Sequence, residues 1–301
     1  MRAGLLTADG VRRPSFLFPG SSKATIMLSY RHGFHAGNHA DVLKHATLQF
    51  IHKAVIAADP RPLLVVDTHA GAGLYDLKSE MGEKVGEWRQ GILPLLPKAA
   101  EAPALLRDWL EIVHLDGPRA YAGSPEISRR LLRAHDRLLC FELHSTDFAS
   151  LSALLCTDPR IAVVKADGLA GLPTVFPPPE RHALVLIDPS YEIKTDYGQV
   201  QDTLLKAWRR LSTGTYLLWY PVIDRGFTER MLGGLRNSEI GRQYRIELCI
   251  EPDEARRGMT GSGLLVINPP DSLPDAMAEA LPWLAQELNA SGQVRAEWVK
   301  P

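Results

Sequence analysis

Four short apolar runs, each followed by an acidic residue, constrain the fold of this chain more than any other feature. They occupy residues 62–66, 138–141, 161–164 and 183–187. Runs of this kind are typical of strands buried on both faces of a parallel sheet. In open α/β sheets, ligands bind outside the carboxyl ends of the strands. We therefore predict an α/β fold with a polar ligand cleft along one sheet edge, lined by Asp67, Glu142, Asp167 and Asp188.

The run at 183–187 stops at Asp188-Pro189, and Tyr191 follows two residues later. Proline has no N–H for the ladder and cannot continue a central strand. A carboxylate and a backbone carbonyl accept hydrogen bonds from N–H groups, and a tyrosine ring stacks on flat rings. The stretch therefore suits a flat ring that bears an amino group. An ordinary turn after a strand explains this stretch equally well, because Asp-Pro pairs commonly start turns.

A glycine turn follows the first acid, with Gly71 and Gly73 directly after the strand that ends at Asp67. Such a turn admits a nucleotide-like ligand close to the backbone. The dinucleotide fingerprint requires a third glycine at position 76, where Asp76 stands instead. This argues against a bound pyrophosphate and favours a ligand such as S-adenosylmethionine.

The second acid of such a site normally comes about 20 residues later, but here the next strand ends at Glu142. We therefore predict an inserted helical subdomain over about residues 75–122. Ser124 is predicted to cap the next helix, with Pro125 at its first position. Four arginines crowd this helix and indicate either a solvated face or a phosphate-binding face: Arg129, Arg130, Arg133 and Arg137.

The amino-terminal part contains a predicted leader over residues 1–26, without a secretory signal, and a helix over about residues 40–57. Five of the ten histidines lie at positions 32, 35, 39, 45 and 52. The spacing of His35 and His39 allows a metal pair, but no His-Glu-x-x-His motif is present. We favour contact with an anionic or polar ligand and predict no metal.

Composition restricts the partners. The net charge is -1, so a nucleic acid must be held by a local basic patch. The pair Arg256-Arg257, in a glycine-rich loop, is one candidate for phosphate contact.

Three separated cysteines without Cys-x-x-Cys indicate a reducing cytoplasm. No apolar run approaches the roughly 20 residues of a membrane span.

Long and particular motifs make the chain, from residue 27 to its end, similar to the bacterial 23S ribosomal RNA adenine-N6 methyltransferase J family. The motifs lie at residues 27–32, 34–45, 67–73, 123–125, 165–168, 218–221, 256–260 and 267–270. The resemblance implies a Rossmann-like class I methyltransferase fold with an inserted helical subdomain. It also implies S-adenosylmethionine as the methyl donor and an adenine of 23S ribosomal RNA as the target.

The resemblance also implies roles for individual residues. Glu142 would take the ribose hydroxyls of the donor, and Asp167 with Gly168 would hold its adenine. Further expected donor contacts are His45, His69, Ser124 and Asp188. Asp188, Pro189 and Tyr191 would form the catalytic motif, with Tyr30 and Lys44 as additional candidate donor or substrate contacts. The family motif is Asp-Pro-Pro-Tyr; Ser190 replaces its second proline here, which lowers the expected rigidity of the loop but keeps its chemical groups.

Three alternatives stay open. A DNA adenine or cytosine-N4 methyltransferase would use the same motif, a protein of external DNA utilisation would need a metal-bound carboxylate cluster, and a non-enzymatic binding module would not bind the donor. For the ribosomal RNA enzyme, we expect naked RNA or an early assembly intermediate as substrate, and a monomer or weak dimer.

Overall fold

The computed structural model describes residues 30–254 and 258–301. The predictions made for residues 1–26, and those for Arg256 and Arg257, lie outside the described residues.

Eight strands form one mixed sheet, and two short strands pair separately. The order of the large sheet is β10-β8-β9-β7-β6-β1-β4-β5. The strands in chain order are β1 (Leu64–Asp67), β2 (Leu74–Asp76), β3 (Ala120–Ala122), β4 (Arg137–Phe141), β5 (Ile161–Val164), β6 (Ala183–Ile187), β7 (Thr215–Val222), β8 (Gln243–Cys249), β9 (Gly261–Ile267) and β10 (Val294–Lys300).

Nine α-helices accompany the strands in the described chain. They are α1 (His39–Ala58), α2 (Glu80–Val85), α3 (Ala104–Val113), α4 (Ser124–Leu131), α5 (Ser145–Leu155), α6 (Gly168–Val175), α7 (Asp196–Arg210), α8 (Arg225–Arg236) and α9 (Leu273–Glu287). Within the described ranges, none of these helices has the length and apolar character that crossing a bilayer requires.

Two hydrophobic cores lie on opposite faces of the large sheet. Side chains of α1, α3, α4, α5 and α9 pack against one face, and those of α6, α7 and α8 against the other. Neighbouring strand residues alternate between the cores, as the period of two in a strand requires: Val65 joins the first core, and Val66 the second. This confirms the predicted α/β class with helices on both faces.

Strands β7, β6, β1, β4 and β5 are parallel neighbours, whereas β9 and β10 run antiparallel to the strands beside them. The register pairs Asp67, at the end of β1, with Leu186 near the end of β6. The strand ends that precede Glu142, Asp167 and Asp188 therefore lie along the same edge. This carboxyl edge is where the sequence places the ligand cleft.

Three features differ from the sequence-based expectation. The insertion is not purely helical, because β2 and β3 form an antiparallel ladder at its base. Gly123, rather than Ser124, is the N-cap of α4, and Pro125 follows at the second helical position. The final strand β10 was not predicted. Its alternating charged residues and exposed positions resemble a polar tail, and its pairing with β8 becomes evident only in the sheet.

Candidate functional site

The glycine turn after β1 lies at the carboxyl edge between the strands that carry Glu142 and Asp188. Gly71 and Gly73 have φ values of 62° and 82°, a left-handed backbone that glycine adopts without a steric penalty. An added Cβ at Gly73 would lie 2.7 Å from a methyl carbon of Leu151. The two glycines are therefore required by the course of the backbone, and the turn keeps main-chain N–H groups at the cleft.

Glu142 is held by this turn. Its two carboxylate oxygens accept hydrogen bonds from the Gly71 N–H at 2.7 Å and the His144 N–H at 2.6 Å. Burial raises the pKa of Glu142, and these backbone hydrogen bonds oppose the shift. Each oxygen retains acceptor capacity for a ligand hydroxyl.

Asp167 and Gly168 join β5 to α6. The Asp167 carboxylate caps the helix by accepting from the Leu169 N–H at 2.8 Å, and its side chain is exposed at the edge. A Cβ at Gly168 would lie 1.9 Å from the Thr68 carbonyl oxygen. Close packing alone therefore requires glycine at position 168, and the role of this pair in holding an adenine stays a prediction.

Lys44 and Asp188 form a buried ion pair at the centre of the carboxyl edge. Lys44 Nζ lies 2.5 Å from Asp188 Oδ2 and 3.0 Å from Asp41 Oδ1. The side chains of Lys44 and Asp188 are 4% and 12% exposed. Burial lowers the pKa of Lys44, but the charges of Asp188 and Asp41 outweigh burial and raise it, so the amine stays protonated. Burial raises the pKa of Asp188, and Lys44 opposes that shift.

The polar network extends from this pair to the surface. Asp41 Oδ2 accepts from the Gly37 N–H at 2.9 Å and lies 2.9 Å from His32 Nε2. The Tyr30 hydroxyl lies 3.0 Å from His32 Nδ1. Lys44 thus contacts Asp188 directly, whereas Tyr30 is linked to this pair through His32 and Asp41.

Asp41 is not among the predicted site residues, and His32 is predicted only as one of five histidines suited to contact with an anionic or polar ligand. A sequence signal existed, because Asp41, Lys44 and His45 are spaced i, i+3 and i+4 and share one face of α1. Three ionisable residues on the buried face of an otherwise apolar helix indicate a functional or ion-pair cluster. Their connection to Asp188, 144 residues away, was not visible in the sequence.

Two of the predicted donor contacts are histidines with low pKa values. His45 is 1% exposed, and its Nδ1 lies 2.8 Å from the Tyr121 hydroxyl. Burial lowers the pKa of His45 to about 3 and that of His69 to about 4. Both imidazoles are therefore neutral at physiological pH. Tyr121 of β3 covers the His45 ring in this conformation, and the contact of His45 with the donor stays a prediction.

Asp67 is the most perturbed acid of the edge. It is 1% exposed, and its Oδ1 accepts a 3.2 Å hydrogen bond from the His69 N–H. Burial raises its pKa to about 7, while the Ser124 hydroxyl and the charge of Lys44 act in the opposite direction. Its Oδ2 is buried and has no hydrogen-bond partner among residues 30–254 and 258–301. Ser124, another predicted donor contact, is likewise 5% exposed.

Tyr191 lies inside the protein, contrary to its predicted position. Its side chain is 7% exposed, and its hydroxyl donates to the Trp219 carbonyl at 2.9 Å. The ring packs 4.6 Å from the ring of Tyr197, measured between centroids. Its backbone φ is 50°, a strained region for a bulky residue. Tyr191 therefore presents no open ring face for stacking in this conformation, and Trp219 is the half-exposed aromatic residue beside Lys44.

The arginine cluster around α4 is a set of internal ion pairs rather than an open phosphate-binding face. Arg129 and Arg130 both bind the buried carboxylate of Glu126. Arg133 binds Asp136, and Arg137 binds Glu180. The paired acids neutralise the positive charge that the sequence shows, so this cluster supports the fold.

Two histidines of the amino-terminal segment, His32 and His35, are also paired with acids. His35 Nδ1 lies 3.0 Å from Glu87 Oε2, and this hydrogen bond raises the pKa of His35. Across residues 30–254 and 258–301, no group of three or more His, Cys, Asp or Glu side chains has an arrangement that could hold a metal ion.

Comparison with known proteins identifies close relatives. Residues 60–300 match the model of the family described as "RsmJ: Ribosomal RNA large subunit methyltransferase D, RlmJ". The chain is 44% identical to "Ribosomal RNA large subunit methyltransferase J" of Escherichia coli over 281 residues, which cover 91% of this chain and 100% of the relative. The protein of the same name from Haemophilus influenzae is 41% identical over 282 residues, with the same coverage of both chains.

A solved structure supports the same relationship. Protein LPL1258 from Legionella pneumophila superimposes with a TM-score of 0.81 and 35% sequence identity. The match covers 88% of this chain and 98% of that protein. The similarity therefore includes the sheet, the insertion and the carboxyl edge.

Proposed function

The chain belongs to the ribosomal RNA large subunit methyltransferase J family, and from that premise we propose that it methylates the N6 amino group of an adenine in 23S ribosomal RNA. The fold is the Rossmann-like class I methyltransferase fold, and the activity is S-adenosylmethionine-dependent methylation of large-subunit ribosomal RNA. The target atom and the residue roles are inferred from the chemistry of the carboxyl edge.

The residues of the edge fit a donor with an adenosine moiety. Glu142 faces the glycine turn with acceptor capacity for two ribose hydroxyls, and exposed Asp167 accepts from an adenine amino group. The positive φ values of Gly71 and Gly73 allow the ligand to approach the main chain. When bound, S-adenosylmethionine supplies an electrophilic sulfonium methyl group.

The observation that carries the proposal is the position of Asp188. One of its oxygens is fixed by Lys44 at 2.5 Å, so the other can accept from an amino group. The Pro189 carbonyl offers a second acceptor. Two hydrogen bonds from the adenine amino group reduce delocalisation of its lone pair into the ring and direct it at the methyl carbon. In-line displacement then depends mainly on positioning.

Asp188 acts as an acceptor more than as a strong base. In the transfer, the N6–methyl bond forms as the sulfonium–methyl bond breaks, and an N6 proton leaves. Lys44 remains protonated beside Asp188 and stabilises its carboxylate, so the carboxylate takes the proton during or after methyl transfer rather than before it. The adenine must leave its stack to reach this pocket.

Methyl incorporation tests the proposal directly. Purified protein, labelled S-adenosylmethionine and transcribed 23S RNA should yield N6-methyladenine, whereas Asp188→Ala should lower the rate by at least about 100-fold. Asp271→Asn is a matched control, because Asp271 is 89% exposed and its partner is Arg242. Methylation of another base or atom, or full activity of Asp188→Ala, would overturn the proposal.

We propose that the substrate is naked RNA or an early assembly intermediate, and that the protein acts in the cytoplasm as a monomer or weak dimer. A DNA oligonucleotide in the same assay separates the RNA enzyme from a DNA amino-methyltransferase. Faster methylation of the DNA would support that alternative.

A further inference from the structure

A mixed apolar and cationic surface lies beside the loop that follows Asp188. We define the Phe227 surface as Ile193, Lys194, Ile223, Phe227 and Arg230. The first two residues lie between β6 and α7, Ile223 directly follows β7, and the last two lie in the first turns of α8. All these segments start at the carboxyl edge, so the surface adjoins the candidate site.

The composition of this surface is unusual for a solvated loop region. Ile193 and Ile223 are 61% and 52% exposed. Lys194 Nζ and Arg230 Cζ lie 5.0 and 5.3 Å from the centroid of the Phe227 ring. Two cations thus lie over one aromatic ring, and the adjoining segments expose two aliphatic side chains, a combination suited to single-stranded nucleic acid.

The cations of the surface are not neutralised by carboxylates. Most basic side chains near the carboxyl edge, such as Arg31 and Arg225, are ion-paired, but within the described ranges neither Lys194 nor Arg230 has an acidic partner within 4.0 Å. Four acids lie nearby in the chain. Three accept from backbone N–H groups, namely Glu192 from Tyr30, Asp196 from Ile193, and Asp224 from Gly226. The fourth, Glu229, binds Arg245.

A row of aromatic rings connects the surface with the catalytic motif. The Tyr191 and Tyr197 centroids are 4.6 Å apart, and the Tyr197 and Phe227 centroids are 5.7 Å apart. Tyr191 lies three residues after Asp188. The Phe227 ring is therefore held at a fixed position relative to Asp188 through packed side chains.

We propose that the Phe227 surface binds the RNA strand immediately beside the target adenine. A flanking base contacts Phe227 and the exposed isoleucines, while Lys194 and Arg230 contact its phosphates. This inference rests on the proposed function, because it requires an RNA substrate at Asp188. It assigns substrate affinity, rather than chemistry, to residues outside the catalytic motif.

The test measures RNA binding and methyl transfer separately. The double variant Lys194→Gln/Arg230→Gln removes both charges, and Phe227→Leu removes the ring while keeping most of its packing volume. The matched control is Lys206→Gln/Arg236→Gln. These exposed cations lie on α7, which follows Lys194, and on α8, which carries Arg230, near the opposite sheet edge. Binding to a 23S RNA fragment is measured by fluorescence anisotropy over a range of salt concentrations, with S-adenosylhomocysteine present.

The double variant should raise Kd and KM for RNA about 10-fold and reduce the salt slope of log Kd by about 1.4, since each single-strand phosphate contact contributes about 0.7. Phe227→Leu should weaken binding about 5-fold or more without a change in salt slope. The value of kcat, the donor affinity and the control variant should be unchanged.

Wild-type RNA affinity and salt slope in both surface variants would overturn the inference and leave the proposed function intact. A wild-type protein that binds the fragment through this surface but methylates no adenine would instead overturn the proposed function. The inference is also wrong if the wild-type protein does not bind RNA. It is likewise wrong if the surface variants bind RNA normally and instead lose affinity for a protein partner.

Discussion

At the scale of single residues, Lys44 determines the charge state of the carboxyl edge. The variant Lys44→Met would leave Asp41 and Asp188 buried without their shared cation. Loss of one partner from a buried ion pair costs about 3–5 kcal/mol of stability, and we expect kcat to fall at least about 100-fold, as for a positioned catalytic group. Chemical denaturation and methyl incorporation measure the two effects.

The matched control for Lys44 lies on the same helix. Lys53 pairs with Asp108, and both side chains are at least 40% exposed. Exposed pairs contribute about 0–1 kcal/mol, so Lys53→Met should change stability little and activity not at all. Equal losses in both variants would show that the effect of Lys44 is not specific to the site.

Asp67 should make stability depend on pH. Its folded-state pKa is about 7, above the unfolded value of about 3.9. Between these values the folded carboxyl keeps a proton that the unfolded one has lost, so its contribution to stability falls as pH rises from about 4 to 7. Asp67→Asn removes this loss, so the stability of the variant relative to wild type should rise by up to about 4 kcal/mol over that range.

Asp136 should give the opposite pH dependence of stability, which the same experiment can measure. Burial opposes its ionisation, but hydrogen bonds from Arg133 and the Leu63 N–H lower its pKa. Its contribution is present above the unfolded pKa and is lost as pH falls toward the lowered value. Asp136→Asn should therefore cost more stability at pH 7 than at pH 3. Parallel pH profiles for the two variants would contradict the assignment for Asp67.

Gly168 tests whether packing or ligand contact requires a glycine. Gly168→Ala places a methyl group against the main chain of Thr68, and we expect a loss of about 1–3 kcal/mol, as for overpacking. Gly198→Ala is the control, since its Cβ would meet no atom within 4 Å, and it should be neutral or stabilise α7 by up to about 1 kcal/mol. Unchanged thermal stability of Gly168→Ala, with weaker donor binding, would favour the ligand explanation.

At the scale of elements, α4 illustrates how a basic sequence cluster becomes structural. Arg130 binds the buried Glu126, the Ile112 carbonyl and Asp116, and so joins α4 to the end of α3. Arg130→Gln should lower stability by about 1–3 kcal/mol, because it removes the hydrogen bonds that the charged guanidinium donates to Glu126, the Ile112 carbonyl and Asp116. It should not change the salt slope of RNA binding. A reduced slope would restore the phosphate-binding interpretation of this cluster.

The sequence predicts well those elements whose apolar residues form a continuous run or a helical pattern along the chain. The strand ends at Asp67, Glu142, Asp167 and Asp188 and the helix α1 follow from apolar runs and an N-cap. The three-residue strands β2 and β3 give no such signal, since their pairing joins residues 74–76 to 120–122. The positions of Tyr191 and Lys44 depend on partners far along the chain, and no local pattern specifies them.

At the scale of the whole molecule, the predicted leader should be dispensable. The sequence of residues 1–26 lacks an apolar periodic pattern, and the motifs that resemble the family begin at residue 27. A chain that starts at Met27 should keep its unfolding midpoint, its methyl transfer rate and its stabilisation by S-adenosylhomocysteine. Loss of any of these would show that the leader contributes to the fold or the site.

The placement of β9 between β7 and β8 has a consequence for synthesis of the chain. One edge of β7 has no strand partner until residues 261–267 have been translated, because β9 supplies it. During that interval the nascent chain exposes an unpaired and largely apolar strand edge, the kind of edge that joins to other chains. The five parallel strands are complete by residue 222, so a nascent chain that folds before β9 is made would carry a five-stranded sheet with the β7 edge open to other chains.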